Sequence, residues 1–186
     1  MSLASAIDAT AVRTGVRHHL LAIGFALMGG FLGILGAFFA EARTSLPLLI
    51  IFIGAPVVEE ITKPVGIYLF LMRWRYVLRS QLHIASLVAI SGLCFGLLES
   101  LVYVTLYAPN HSREFFIYRF TVTVLLHGGA SFMAGLGVNG RLIDWANGEA
   151  PFPRAARNSF LAAIGLHALY NTTVVILSFA GVLSFD

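Results

Sequence analysis

Hydrophobic residues fall into five long runs separated by short polar segments: His18 to Ala40, Leu46 to Met72, Leu82 to Tyr107, Phe115 to Val138 and Ser159 to Leu183. Each run is about 23 to 27 residues, enough to cross a hydrocarbon layer of ~30 Å at ~1.5 Å of helical rise per residue. In lipid a backbone of that length satisfies its own amides only as a helix. The pattern therefore predicts an all-α polytopic membrane bundle of about five transmembrane helices. The first run is too long for a signal-peptide core and is expected to remain as a span. With no Ser- or Pro-rich linker, repeat or block of like charge, residues 1–186 read as a single domain.

Composition agrees, since 58% of the 186 residues are hydrophobic and 11% charged, well outside the soluble norm. The formal charge of +3 sits between the runs rather than in one stripe, which argues against nucleic acid as a partner. Arg13 and Arg17 precede the first run, Arg73, Arg75 and Arg79 follow the second, and Arg141, Arg154 and Arg157 follow the fourth. Arg43, Arg113 and Arg119 are the counterweight. The asymmetry predicts a cytoplasmic N-terminus and an outer C-terminus; the expected location is a cell membrane, crossed several times, of the prokaryotic cytoplasmic kind. Trp74, Tyr76, Tyr107 and Trp145 fall at run ends, where amphipathic rings prefer the headgroup layer. Gly29, Gly33 and Gly36, with Gly128, Gly129, Gly135 and Gly137, predict close helix contacts. The one cysteine, Cys94, leaves no intramolecular disulfide and no CxxC site.

Against that background the polar residues inside the runs stand out. The second run contains Glu59, Glu60 and Lys63, followed by Pro64. Each ionised group at a helix centre costs roughly 2.5 to 3.5 kcal/mol on insertion scales, so the three must face protein or trapped water. Lys63 lies three residues after Glu60 and four after Glu59, within reach of both on a helix. Pro64 has no amide hydrogen for the Glu60 carbonyl and predicts a kink beside the acidic pair. The third run holds Glu99, which has no neutralising partner on its own helix. The fourth holds His127, and the fifth holds His167 and Asn171 on one helical face.

Counted from the outer run ends, Glu99 lies about 12 Å deep, His127 and Asn171 about 18 Å, Glu59 and Glu60 about 20 Å, and His167 about 24 Å. Four helices thus bring polar groups into one slab of the membrane. These residue types suit activation of a water molecule. Burial favours a neutral carboxyl and a neighbouring cation an ionised one, so Glu59 and Glu60 can divide into a base and an acid. His127, His167 and Asn171 can then stabilise an oxyanion or protonate a leaving amine. The same types could equally bind a divalent metal, zinc for preference, through His127, His167 and a glutamate such as Glu99. Ser131, four residues after His127, is a weak nucleophile candidate.

Glu59-Glu60-Ile61-Thr62-Lys63 resembles an EExxK motif and Phe95 to Glu99 an FxxxE motif. His127 and the stretch His167 to Asn171 resemble the two later histidine motifs of the PrsW family of intramembrane proteases. The resemblance covers a core from about Leu46 to Asn171. It implies a helical bundle related to the CAAX-processing and bacteriocin-processing enzymes, in contact with membrane lipid. It further implies endopeptidase action on membrane-anchored proteins, anti-sigma factors being the known type. Carried over by position, Glu59, Glu60, Glu99, His127 and His167 take catalytic or metal-binding roles, with Lys63 and Asn171 supporting.

Other classes compete. A proton- or ion-coupled transporter could use Glu59, Glu99 and the histidines as a relay, though no paired halves are evident. A bis-histidine haem protein could use His127 and His167, leaving the acidic pair without a role. The wider fold also includes a non-catalytic scaffold subunit of gamma-secretase.

Overall fold

The computed structural model describes residues 15–42 and 49–183, and among these every regular element is helical. Helix α1 (Val16–Ala42) is the first run. The second run is broken into a π-helical turn (Ile50–Gly54), α2 (Ala55–Thr62) and α3 (Val65–Trp74). Its beginning, at Leu46, lies outside the described residues, as do Arg13 and Arg43 of the charge count. The break falls at Lys63 and Pro64, where the missing proline amide ends the α-helical ladder. Thr62 reinforces it by donating its hydroxyl to the Val58 carbonyl at 2.8 Å.

Helix α4 (Gln81–Val102) runs on through a π-helical turn to Tyr107, its start capped by Ser80. The fourth run comprises α5 (Arg113–Tyr118), a π-helical turn (Arg119–Thr123) and α6 (Val124–Gly135). It then bends by 73° into α7 (Gly140–Ala146). The run was expected to continue to Val138. Instead the chain turns after Gly135, and Asn139 caps α7 by accepting from the amides of Arg141 and Leu142. Helix α8 (Arg154–Phe179) starts five residues before the expected Ser159, so Arg154 and Arg157 lie in its first turns rather than in a loop.

By length and composition α1, α4 with its extension, and α8 can each cross a membrane, and the bent α5–α6–α7 unit brings the number to four. The expected fifth span corresponds to the broken segment, whose pieces are individually too short.

Small residues set the packing. A side chain at Gly92 of α4 would strike the His127 carbonyl and Ser131 of α6, and one at Gly135 would strike Ala85. On α1, Gly29 faces the Lys63 carbonyl and Gly33 faces Phe95. Gly129, expected to be a packing residue too, looks onto open space. The large apolar core gathers at the α3, α4 and α7 ends around Ile67, Phe70, Leu87 and Val138. Bulky residues such as Phe31, Leu125, Leu169 and Ile176 point outward, as lipid-facing surfaces require.

Candidate active site

The helix break delivers Glu59, Glu60 and Lys63 to the bundle interior, all three buried. The Lys63 ammonium donates to Glu60 Oε1 at 2.7 Å and lies 3.3 Å from Glu59 Oε2. Both same-helix ion pairs foreseen from the spacing are therefore present. The ammonium also meets His127 Nδ1 at 2.9 Å and rests 4.2 Å from the Phe95 ring centre.

His127 is held from its other side, where Nε2 stands 3.0 Å from Glu99 Oε2. Because an ammonium only donates and a carboxylate only accepts, the network assigns neutral His127 with its proton on Nε2. Its Nδ1 lone pair is then directed at Lys63. Glu99 finds its missing partner in Arg119 of the π-helical turn, whose Nη2 donates to Oε2 at 2.7 Å. The Arg119 guanidinium also stacks 3.9 Å over the Tyr103 ring.

From α8, His167 places Nδ1 2.9 Å from Glu60 Oε1, and its ring meets that of His127 edge to face at 4.9 Å. Ser131 donates to Glu60 Oε2 at 3.4 Å and is no free nucleophile. Asn171 donates to the Ile51 carbonyl at 2.9 Å, tying α8 to the π-helical turn before α2. All seven residues singled out in the sequence thus converge on one region, with Asn171 at its edge.

A cavity of about 270 Å³ reaches this centre. Glu59, Glu99, His127 and Asn171 line it, together with Arg119 and Tyr170. Glu60, Lys63 and His167 stand behind. Glu59 Oε2 is buried and accepts no hydrogen bond.

Arg119 was counted in the sequence only as a topological charge. Its position inside the fourth run was the available signal, because an intramembrane cation needs a carboxylate and Glu99 had none on its own helix. The hydroxyl chain of Thr123, Tyr170 and Tyr118, with steps of 2.9 and 2.5 Å, carried no such signal.

Glu59, Glu60, His127 and His167 each offer one ligand atom, all within 4.8 Å of one another and all buried. Two imidazoles and two carboxylates suit zinc, and Glu59 Oε2, ion-paired with Lys63 at 3.3 Å but accepting no hydrogen bond, has a lone pair to offer. The residues fit. Glu99, a metal candidate by sequence, lies outside this group and is engaged by Arg119 and His127.

A helical membrane bundle with a buried carboxylate and imidazole centre at the foot of a cavity is compatible with a membrane-embedded hydrolase. The family model described as PrsW family intramembrane metalloprotease matches residues 16–185, and the chain belongs to that family. No curated protein and no solved structure matches it.

Proposed function

We propose that the protein is an intramembrane endopeptidase in which Glu59 is the general base toward a water molecule at the inner end of the cavity. The observation that carries this reading is the Glu59 carboxylate itself, which lines the cavity with a buried oxygen accepting no hydrogen bond. Glu60 has no comparable freedom, being bound by Lys63, His167 and Ser131. It orients the centre.

Water held against Glu59 gives up a proton as its oxygen bonds to the substrate carbonyl carbon. The same carboxyl returns that proton to the amide nitrogen as the C–N bond breaks, leaving a new carboxyl and a free amine. Developing negative charge on the carbonyl oxygen meets donors on the cavity wall. Arg119 presents its positive charge there, and Asn171 has a second amide hydrogen beyond the one given to Ile51. Glu99 fixes the His127 ring so that its Nδ1 stays toward Lys63 and Glu59. A divalent ion, zinc by donor type, would be held by Glu59, Glu60, His127 and His167 and would supply Lewis-acid polarisation of the carbonyl.

The substrates under this reading are membrane-anchored proteins whose scissile segment reaches the cavity from lipid. The arginine asymmetry supports a cytoplasmic N-terminus. The test is proteoliposomes carrying the protein and membrane-anchored reporter proteins, with products identified by mass. Cleavage is expected, falling by about 10²- to 10⁴-fold in Glu59→Gln. Cleavage at the wild-type rate in Glu59→Gln would remove Glu59 from the chemistry.

A further inference from the structure

We infer that Lys63 is the resident cation of the four-residue cage, and that its ammonium and a divalent ion are mutually exclusive occupants. The inference takes the cage as the ion's site, as the proposed function does, but does not require that the protein cleave peptides.

Three of the four candidate ligand residues already touch Nζ: Glu60 at 2.7 Å, His127 at 2.9 Å and Glu59 at 3.3 Å. The ammonium thus makes two hydrogen bonds, to Glu60 and His127, and a longer ion pair with Glu59. Its side chain is wholly buried, with the Phe95 ring against it, so it has no second resting place in solvent.

His127 makes the exclusion strict. A neutral imidazole has one lone pair, and Glu99 receives the Nε2 proton, so the ring can ligate an ion only through Nδ1. That is the atom Lys63 holds. An ion taking Nδ1 must displace the ammonium, and the two positive charges repel in a low-dielectric interior. Lys63 therefore holds the carboxylates and imidazole together when no ion is present and weakens the binding of any ion that arrives.

The substitution Lys63→Met keeps an unbranched stem, removes the cation and frees Glu59, Glu60 and His127 together. Lys63→Arg keeps the charge. Full-length protein in detergent is titrated with Co(II), read by its visible absorption, and with Zn(II), read by elemental analysis after dialysis at fixed free metal. Lys63→Met is expected to bind either ion between about tenfold and a hundredfold more tightly than wild type, a range typical of residues around a metal site. Lys63→Arg should bind no more tightly than wild type. Equal or weaker binding by a folded Lys63→Met, or a gain of the same size in Lys63→Arg, would overturn the inference.

Should Lys63→Met fold only in the presence of Zn(II), the readout becomes its Tm. A zinc-dependent rise in Lys63→Met larger than that of wild type supports the exclusion. No rise beyond that of wild type in either Lys63→Met or Lys63→Gln contradicts it. Since cleavage is never read, a failure of the endopeptidase reading would leave these results intact.

Discussion

The rings of His127 and His167 meet at 4.9 Å, yet the helices that carry them are packed in opposite ways. Helix α6 buries seven of its 12 residues, His127 among them, against α4. Glycine, alanine and serine on both sides let the backbones approach, which is how helices associate when lipid removes the hydrophobic drive. Helix α8 buries only Ala156, Ala163 and His167 among 26 residues. Its start packs Ala156 and Ser159 closely on Gly137, but at the level of the site it is tied by polar bonds, from His167 to Glu60, from Asn171 to Ile51 and from Tyr170 to Thr123. Both rings are hydrogen-bonded, but the helix under His127 is fixed by close backbone approach and the one under His167 chiefly by hydrogen bonds at its own level. The centre therefore has a rigid wall and an attached wall, and substitutions should sort by which wall they touch.

The largest effect is expected at Gly92 of the rigid wall. A Cβ there would fall onto the His127 carbonyl and Ser131, and backbone cannot yield as a flexible side chain would. Gly92→Ala should destabilise by about 1 to 3 kcal/mol, the usual range for overpacking, and should separate His127 from Lys63. Thermal unfolding in detergent reads the first, and loss of reporter cleavage the second. An unchanged Tm would show that α4 and α6 do not rely on that contact.

The same division explains what the sequence disclosed. Spacing within one helix is fixed by the 3.6-residue period, so the pairing of Lys63 with Glu59 and Glu60 was readable, as was the break at Pro64. That residues of separate runs share a level was readable too, because hydropathy marks where each run begins and ends. The coarse slab of Glu99, His127, His167 and the acidic pair followed from that. Rotation of one helix about its axis relative to another leaves no trace in hydropathy. The bonds from Lys63 to His127 and from Arg119 to Glu99 depend on such rotations and emerged only from the packed bundle. The 73° turn after Gly135 was likewise hidden, since Leu136 and Val138 continue the apolar pattern and only Gly135 and Gly137 beside them hint at an ending.

A middling effect is expected at Asn171 of the attached wall. Asn171→Ala leaves the partly buried Ile51 carbonyl without its donor, a loss of about 1 to 3 kcal/mol if no water replaces it. The global Tm should fall less than in Gly92→Ala, because α8 stays tied at His167 and Tyr170. Local opening should rise, so amide hydrogen exchange is expected to quicken across the second half of α8 and to stay unchanged in α4. Equal acceleration in both helices would mean that the two walls unfold as one unit.

The smallest effect is expected from Gly165→Ala, which repeats the glycine test on the attached wall. Gly165 lies two residues before His167, and a Cβ there meets nothing within 4 Å. With no clash to oppose it, the change acts through the chain's own freedom. Alanine restricts the unfolded backbone and suits a helix interior, a gain of about 0.4 to 1 kcal/mol where the native geometry accepts it. A slightly raised Tm with reporter cleavage unaltered is therefore expected, opposite in sign to Gly92→Ala although the substitution is chemically identical. A fall in Tm as large as that of Gly92→Ala would mean that α8 has a close neighbour at Gly165 in the membrane, such as a second copy of the chain. The attached wall would then be packed as tightly as the rigid one, and the contrast between the two histidines would disappear.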